Sequence, residues 1–205
     1  MTGFAVGGQT TKLRPMSPYR LLAALLLLPL ATFAADRGLK VDRSRSFIDV
    51  DVKATAGSFT GHLDQYAATI LIDDAGKIKA ATLAFDFDDL KTGKPDRNAK
   101  MISWLGGGHP SGQFDLGNLA VTPDGQGQAS GRLTFHGATQ RIEFPVNITK
   151  ADDGTYTITG EATVDYREWN LKVIRFAMAL KVNPEVAIHF KITGVPGPLP
   201  ASSAK

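Results

Sequence analysis

One pattern constrains this chain more than any other: from residue 46 to residue 193, apolar and polar side chains alternate in run after run. In residues 46–53, Ile48, Val50 and Val52 fall on one side and Asp49, Asp51 and Lys53 on the other. Successive side chains of a strand point to opposite faces, so a period of two reads as a half-buried strand. The same pattern groups Tyr66, Ala68, Ile70 and Ile72, then Leu83, Phe85 and Phe87, then Leu133 and Phe135. It returns in Ile142, Phe144, Val146 and Ile148, in Tyr156, Ile158 and Val164, and in Val186, Ile188 and Phe190. Between Phe114–Leu116 and Leu119–Val121 the parity changes across Gly117, which predicts a bulge. Asp74-Ala75-Gly76-Lys77, Pro123-Asp124-Gly125, His136-Gly137 and Asp152-Asp153-Gly154 supply the turns. The glycine-punctuated Gly57–Leu63 is read as a corner.

About eight strands with short turns imply an antiparallel sheet. Each strand has an apolar face, and no crossover helices are available to cover it. The sheet must therefore close into a barrel or split into a sandwich. The expected fold is all-β: an eight-stranded antiparallel barrel with one short helix between strands. An eight-stranded barrel is filled by its own side chains or holds one small ligand.

The helix belongs to the one long interruption, residues 92–114. Gly93 and Pro95 open it, and Gly106-Gly107-Gly108 breaks it. Met101, Trp104 and Leu105 share one helical face, with Asp96, Arg97 and Lys100 on or near the other. Asp96 is placed to cap the first turn. This amphipathic plug is read as the lid of an apolar cavity, against the alternative of a helix that merely covers a core.

At the other end of the chain, Arg20 precedes a ten-residue apolar run, residues 21–30, and small residues 31–35 follow. This is the order of a secretory leader, with cleavage after Ala34. Ten residues are too few to span a bilayer as a helix. Residues 1–15 fit no standard leader, and Met16 is an alternative start. The expected organisation is a leader over 1–34, a barrel domain over 35–194 and a loose tail over 195–205. The chain carries 23 basic and 20 acidic residues, and the three basic residues Lys12, Arg14 and Arg20 precede Ala35 without any acid. Removing three of the 23 leaves 20 against 20. The basic pI therefore belongs to the leader, and nucleic acid is not an expected partner. There is no cysteine. Neither disulfides nor a lipoprotein anchor are available, and a core must hold the roughly 170 remaining residues together. The mature protein is expected in the periplasm with no transmembrane anchor.

Several motifs occur together in order. They are Val41-Asp42 before Ser46-Phe47-Ile48, then Gly57-Ser58-Phe59-Thr60-Gly61, then Thr92-Gly93 with Asp96-Arg97. His109-Pro110 leading to Phe114, Leu133-Thr134 with Gly137-Ala138-Thr139, and Arg167 with Trp169 complete the set. In this order and spacing the chain resembles the YceI-like family of periplasmic lipocalin-like proteins. It departs from the family at Arg45, at Glu168-Trp169-Asn170 and at the triple glycine. The resemblance implies an extended barrel whose hydrophobic tunnel holds an isoprenoid or fatty-acyl chain, with no enzymatic activity, cofactor or metal. The residues it nominates for the tunnel are Phe85, Phe87, Met101, Trp104, Phe114, Phe135, Phe144, Trp169, Phe176 and Phe190. For an anionic headgroup it nominates Arg97 and Arg167, with Lys100 the weaker choice. The alternative function is a solid-core barrel that acts through its surface as an inhibitor or interaction module. Whether the chain forms a homodimer stays open.

Catalytic patterns are weak. His62, His109, His136 and His189 are far apart and share no metal-ligand spacing. There is no cysteine nucleophile and no Gly-x-Ser-x-Gly elbow. Asp86, Asp88 and Asp89 read as a solvated strand end.

Overall fold

In the computed structural model the structure describes Gly3 and residues 37–55, 57–176 and 180–198. The leader segment lies outside the described residues. The alternating runs form strands as their period requires. They are β1 (Arg37–Val41), β2 (Phe47–Ala54), β3 (Gly57–Leu63), β4 (Ala67–Ile72), β5 (Ile78–Asp86) and β6 (Leu90–Lys91). After helix α1 (Pro95–Trp104) come β7 (Ser111–Val121), β8 (Gln126–Phe135), β9 (Ala138–Lys150), β10 (Tyr156–Asp165), β11 (Arg175–Phe176) and β12 (Leu180–Gly197).

Every pairing is antiparallel, in the order β1-β4-β5-β7-β8-β9-β10-β12, and β12 then pairs β1 to close the ring. Gly38 faces Gly197 and Val41 faces Gly194 at that seam. Toward the other end of β12 the same edge pairs β2, with Val186 against Val52 and Phe190 against Ile48. The β2–β3 hairpin and β6 thus extend the wall, and three of the eight strands of the barrel run in two pieces.

The turns follow the predicted chemistry. His136 and Gly137 both adopt positive φ, 47° and 71°, as a tight two-residue hairpin loop demands. The β7–β8 register shifts between Leu116 and Asn118, where the parity change predicted a bulge.

Three local expectations are corrected. Gly57–Leu63 is a strand rather than a corner, since Gly61 lets the Leu90 side chain press within 3.1 Å of where a Cβ would stand. Asp96 does not cap α1: Lys94 holds the cap position without a side-chain bond, Pro95 takes the first turn, and Asp96 follows it. The segment read as a loose tail begins inside β12, because Val195 and Pro196 pair Lys40 and Leu39.

One end of the barrel is closed. Tyr156, 2% exposed, sends its hydroxyl across to the Gly76 carbonyl at 2.8 Å, tying β10 to the β4–β5 turn. Leu39, Tyr66, Ile72 and Ile192 pack with it. At the opposite end, Leu105, Leu133, Tyr166, Trp169 and Val182 form a second cluster beneath α1. No helix among the described residues is long and apolar enough to cross a membrane.

Candidate ligand-binding site

Between the two clusters the barrel holds a cavity of about 780 Å³. Protein interiors carry few voids larger than a water molecule, so this is not a packing gap; it falls among the volumes of ligand sites. Along β12 its wall includes Lys181, Val182, Val186, Ile188, Phe190 and Ile192. With the bulge between Val182 and Val186 taken out, Lys181 to Ile192 covers roughly 30 Å of strand, or roughly 23 Å along the axis of a barrel with ordinary tilt. The cavity is therefore elongated along the barrel axis.

Aromatic side chains line much of the bore. Phe85 and Phe87 meet edge to face at 5.3 Å, and Phe87 continues to Phe135 at 5.6 Å. A second row runs through Phe114, Phe144 and Phe190, which follow one another at 5.7 and 5.8 Å. All six rings border the cavity. Three of them recline on glycines. Phe85 lies over Gly112, Phe114 over Gly131 and Phe190 over Gly160. A Cβ on Gly131 or Gly160 would stand 2.5 Å from the ring. Glycine at these strand positions provides a backbone that a ring can approach closely. The rings lie along the wall instead of crossing the lumen.

Helix α1 contributes Arg97, Lys100, Met101, Ser103 and Trp104 to the rim. Trp104 packs edge-on against Tyr166 at 4.9 Å, and its indole N–H donates to the Lys172 carbonyl at 2.8 Å. At the helix end Gly106, Gly107 and Gly108 all have positive φ, and the Gly107 amide donates to the Ile102 carbonyl at 2.9 Å. That bond satisfies a terminal carbonyl and turns the chain away from the mouth. At the start of the helix Asn98 Oδ1 accepts from the Thr92 amide at 3.0 Å and from its hydroxyl at 2.7 Å. Arg97 lies 3.8 Å over the Phe59 ring and donates to the Thr92 carbonyl at 3.2 Å. The β2–β3 hairpin, through Ala54, Gly57, Ser58 and Phe59, and Lys181 complete the mouth.

Nine of the twelve residues nominated from the sequence border the cavity; Arg167 and Trp169 do not. Trp169 is 0% exposed, stacked on Phe135 at 4.6 Å, with its N–H on the Leu133 carbonyl at 3.1 Å. It is core behind the wall, with Phe135 standing between it and the lumen. Arg167, expected at the mouth, lies outside and holds Asp165, donating from Nε at 2.9 Å. That hydrogen bond, more than any other cause, lowers the Asp165 pKa. The side chain of Phe176 lies outside the described residues. Phe59 and Lys181, not foreseen as site residues, border the cavity. The alternation of Ser58, Phe59 and Thr60 carried the signal for Phe59; nothing local marked Lys181. Burial pushes the Tyr166 phenol up, so this cavity-lining group stays neutral at ordinary pH.

Histidine–carboxylate pairs occur away from the cavity. His62 Nδ1 lies 2.8 Å from Asp49, His109 Nδ1 lies 2.6 Å from Asp88, and His189 lies 3.2 Å from Asp51. Among the described residues no cluster of three or more such groups is arranged to hold a metal ion.

Residues 39–194 match the model of a family described as a YceI-like domain. No curated protein is significantly similar in sequence. In fold the chain is similar to Burkholderia cenocepacia BcnA, with TM-score 0.64 and 18% identity over 76% of this chain and 99% of that one. It is similar to a polyisoprenoid binding domain from Saccharophagus degradans implicated in plant cell wall breakdown, with TM-score 0.58 and 17% identity over 78% and 98%. A Campylobacter jejuni YCEI protein gives TM-score 0.51 and 15% identity over 65% and 82%.

Proposed function

The chain belongs to the YceI-like domain family, and from that premise we propose a non-enzymatic periplasmic binding protein that holds one isoprenoid or fatty-acyl chain inside its barrel. The observation that carries this reading is the cavity of about 780 Å³, with its apolar wall from Ile192 to Val182. Burying a methylene stabilises by about 0.8 kcal/mol. A chain of about twelve methylenes would gain about 10 kcal/mol before the costs of association are subtracted. Polar recognition is therefore not needed for affinity, only for choice of headgroup. The polyisoprenoid binding named for the Saccharophagus degradans domain supports the isoprenoid half of this reading. A solid-core barrel acting through its surface fits poorly with an interior of about 780 Å³. Transport, storage and sequestration all require the same bound state.

Native mass spectrometry of protein purified from the periplasm, with solvent extraction and lipid identification, tests the reading. One isoprenoid or acyl species per chain is expected. An apo mass, together with failure to bind added polyprenyl and fatty-acyl ligands, would overturn it.

A further inference from the structure

The charged residues that line the cavity are all of one sign. Arg97, Lys100 and Lys181 line the cavity, and no carboxylate lies among its described lining residues. A rim of one sign above a low-dielectric bore concentrates its potential at the opening. We infer that the bound lipid has an anionic head, a carboxylate or a phosphate, seated between Arg97 and Lys181; this rests on the lipid-binding reading above.

Arg97 is set in place before any ligand arrives. The Phe59 ring lies beneath the guanidinium, and the Thr92 carbonyl accepts one N–H. Thr92 is itself buried and doubly bonded to Asn98, so the platform is rigid. A guanidinium has five N–H donors in a fixed fork, and the unused ones suit a carboxylate or phosphate edge. Lys181 reaches the same mouth from the other side of the β2–β3 hairpin. Its amide and carbonyl are fixed by Thr55, whose hydroxyl lies 3.3 Å from the Lys181 N and whose amide donates to the Lys181 O at 3.0 Å. Val182 pairs Ala54, and Ala54 pairs Gly57, so β2 lies between Lys181 and the Phe59 platform. A planar fork and an ammonium on the wall of one cavity together offer donors to an oxygen anion. Ser58 and Ser103 border the same cavity, with hydroxyls for remaining lone pairs.

The test compares four amphiphiles with one shared chain on delipidated full-length protein at low salt: dodecanoate, dodecyl phosphate, dodecanol and dodecyltrimethylammonium. The anions are expected to bind about tenfold tighter than the alcohol, and the cation weaker than the alcohol. In the Arg97→Gln/Lys181→Gln double variant the ratio of anion to alcohol affinity, both measured on that variant, should fall from about ten to about one. Raising salt should narrow the gap in the native protein. The relative affinity of dodecanoate and dodecyl phosphate separates an acyl head from a phosphorylated one. Equal affinity for anion and alcohol, or a preference for the cation, overturns the inference while lipid binding stands. Binding of none of the four overturns both readings.

Discussion

Phe85 and Gly112 are direct partners across the β5–β7 ladder, and the ring rests on the glycine so closely that a Cβ there would meet Cε2 at 2.8 Å and Cζ nearer still. The same arrangement on Gly131 and Gly160 turns three large side chains into wall lining. The bore depends on it. In Gly112→Ala the three nearest atoms to the new Cβ all belong to the Phe85 ring, so the ring must swing toward the lumen. The variant should lose about 1–3 kcal/mol in urea denaturation and prefer shorter lipid chains. Adding Phe85→Leu should recover much of the loss, and simple additivity in that double-mutant cycle would refute the coupling.

The two tryptophans should separate stability from binding. Trp169 is fully buried and hydrogen-bonded, and Trp169→Ala should cost about 3–5 kcal/mol. Trp169→Phe keeps most of the ring stacking and should fold. Trp104 borders the cavity at the rim, so Trp104→Ala should weaken lipid binding about tenfold with a smaller stability loss. Lipid titration beside urea denaturation of both variants checks the contrast.

His109 anchors the loop after the helix to the turn that carries Phe87. Its bond to Asp88 raises the imidazole pKa first through hydrogen bonding and then through charge, and the Phe87 amide donates to the Pro110 carbonyl at 2.9 Å alongside. A raised folded-state pKa means that the contribution is complete below the ordinary value of 6.5 and is lost as pH rises through the folded value. NMR titration should place His109 above 6.5, and Asp88→Asn should return it there. Exchange of the Phe87 amide should speed up at alkaline pH beyond its intrinsic rate in the native protein and show no such added step in the variant.

Arg167 gives the opposite expectation to Arg97. It lies outside the cavity wall, paired with Asp165, so Arg167→Gln should leave lipid affinity and anion preference unchanged. Its effect should appear in acid. Asp165, whose pKa is lowered mainly by this hydrogen bond, contributes stability above the unfolded value of 3.8 that fades as pH falls through the folded value. Denaturation midpoints of the native and Gln forms should therefore converge at low pH. A changed anion preference would place Arg167 at the mouth after all.

Much of this architecture was legible in local pattern. Period-two alternation identified the strands, and positive-φ turn chemistry located the His136–Gly137 hairpin. Helical spacing put Met101, Trp104 and Leu105 on the inward side of α1, where all three meet the core beneath it. Alternation also distinguished inside from outside along each strand, and of the seven phenylalanines expected in the barrel six line its cavity, the side chain of Phe176 lying outside the described residues.

Alternation cannot say how high along the barrel a residue sits, or whether an inward ring fills the lumen or lies on its wall. Those depend on the neighbour across the ladder, and for Phe85 that neighbour is Gly112, a pairing set only by register. Trp169 was sorted into the core by Phe135, and Arg167 was drawn outward by Asp165, two residues away. Lys181 reached the mouth because β12 pairs β10 on one edge and both β1 and β2 on the other, bringing it beside Thr55. The strands, the turns, the helix and the inward faces are written in local pattern, because they follow from contacts a few residues apart. The bore, its closed end and its cationic mouth came only from ring closure, because they are made by side chains that share no local segment.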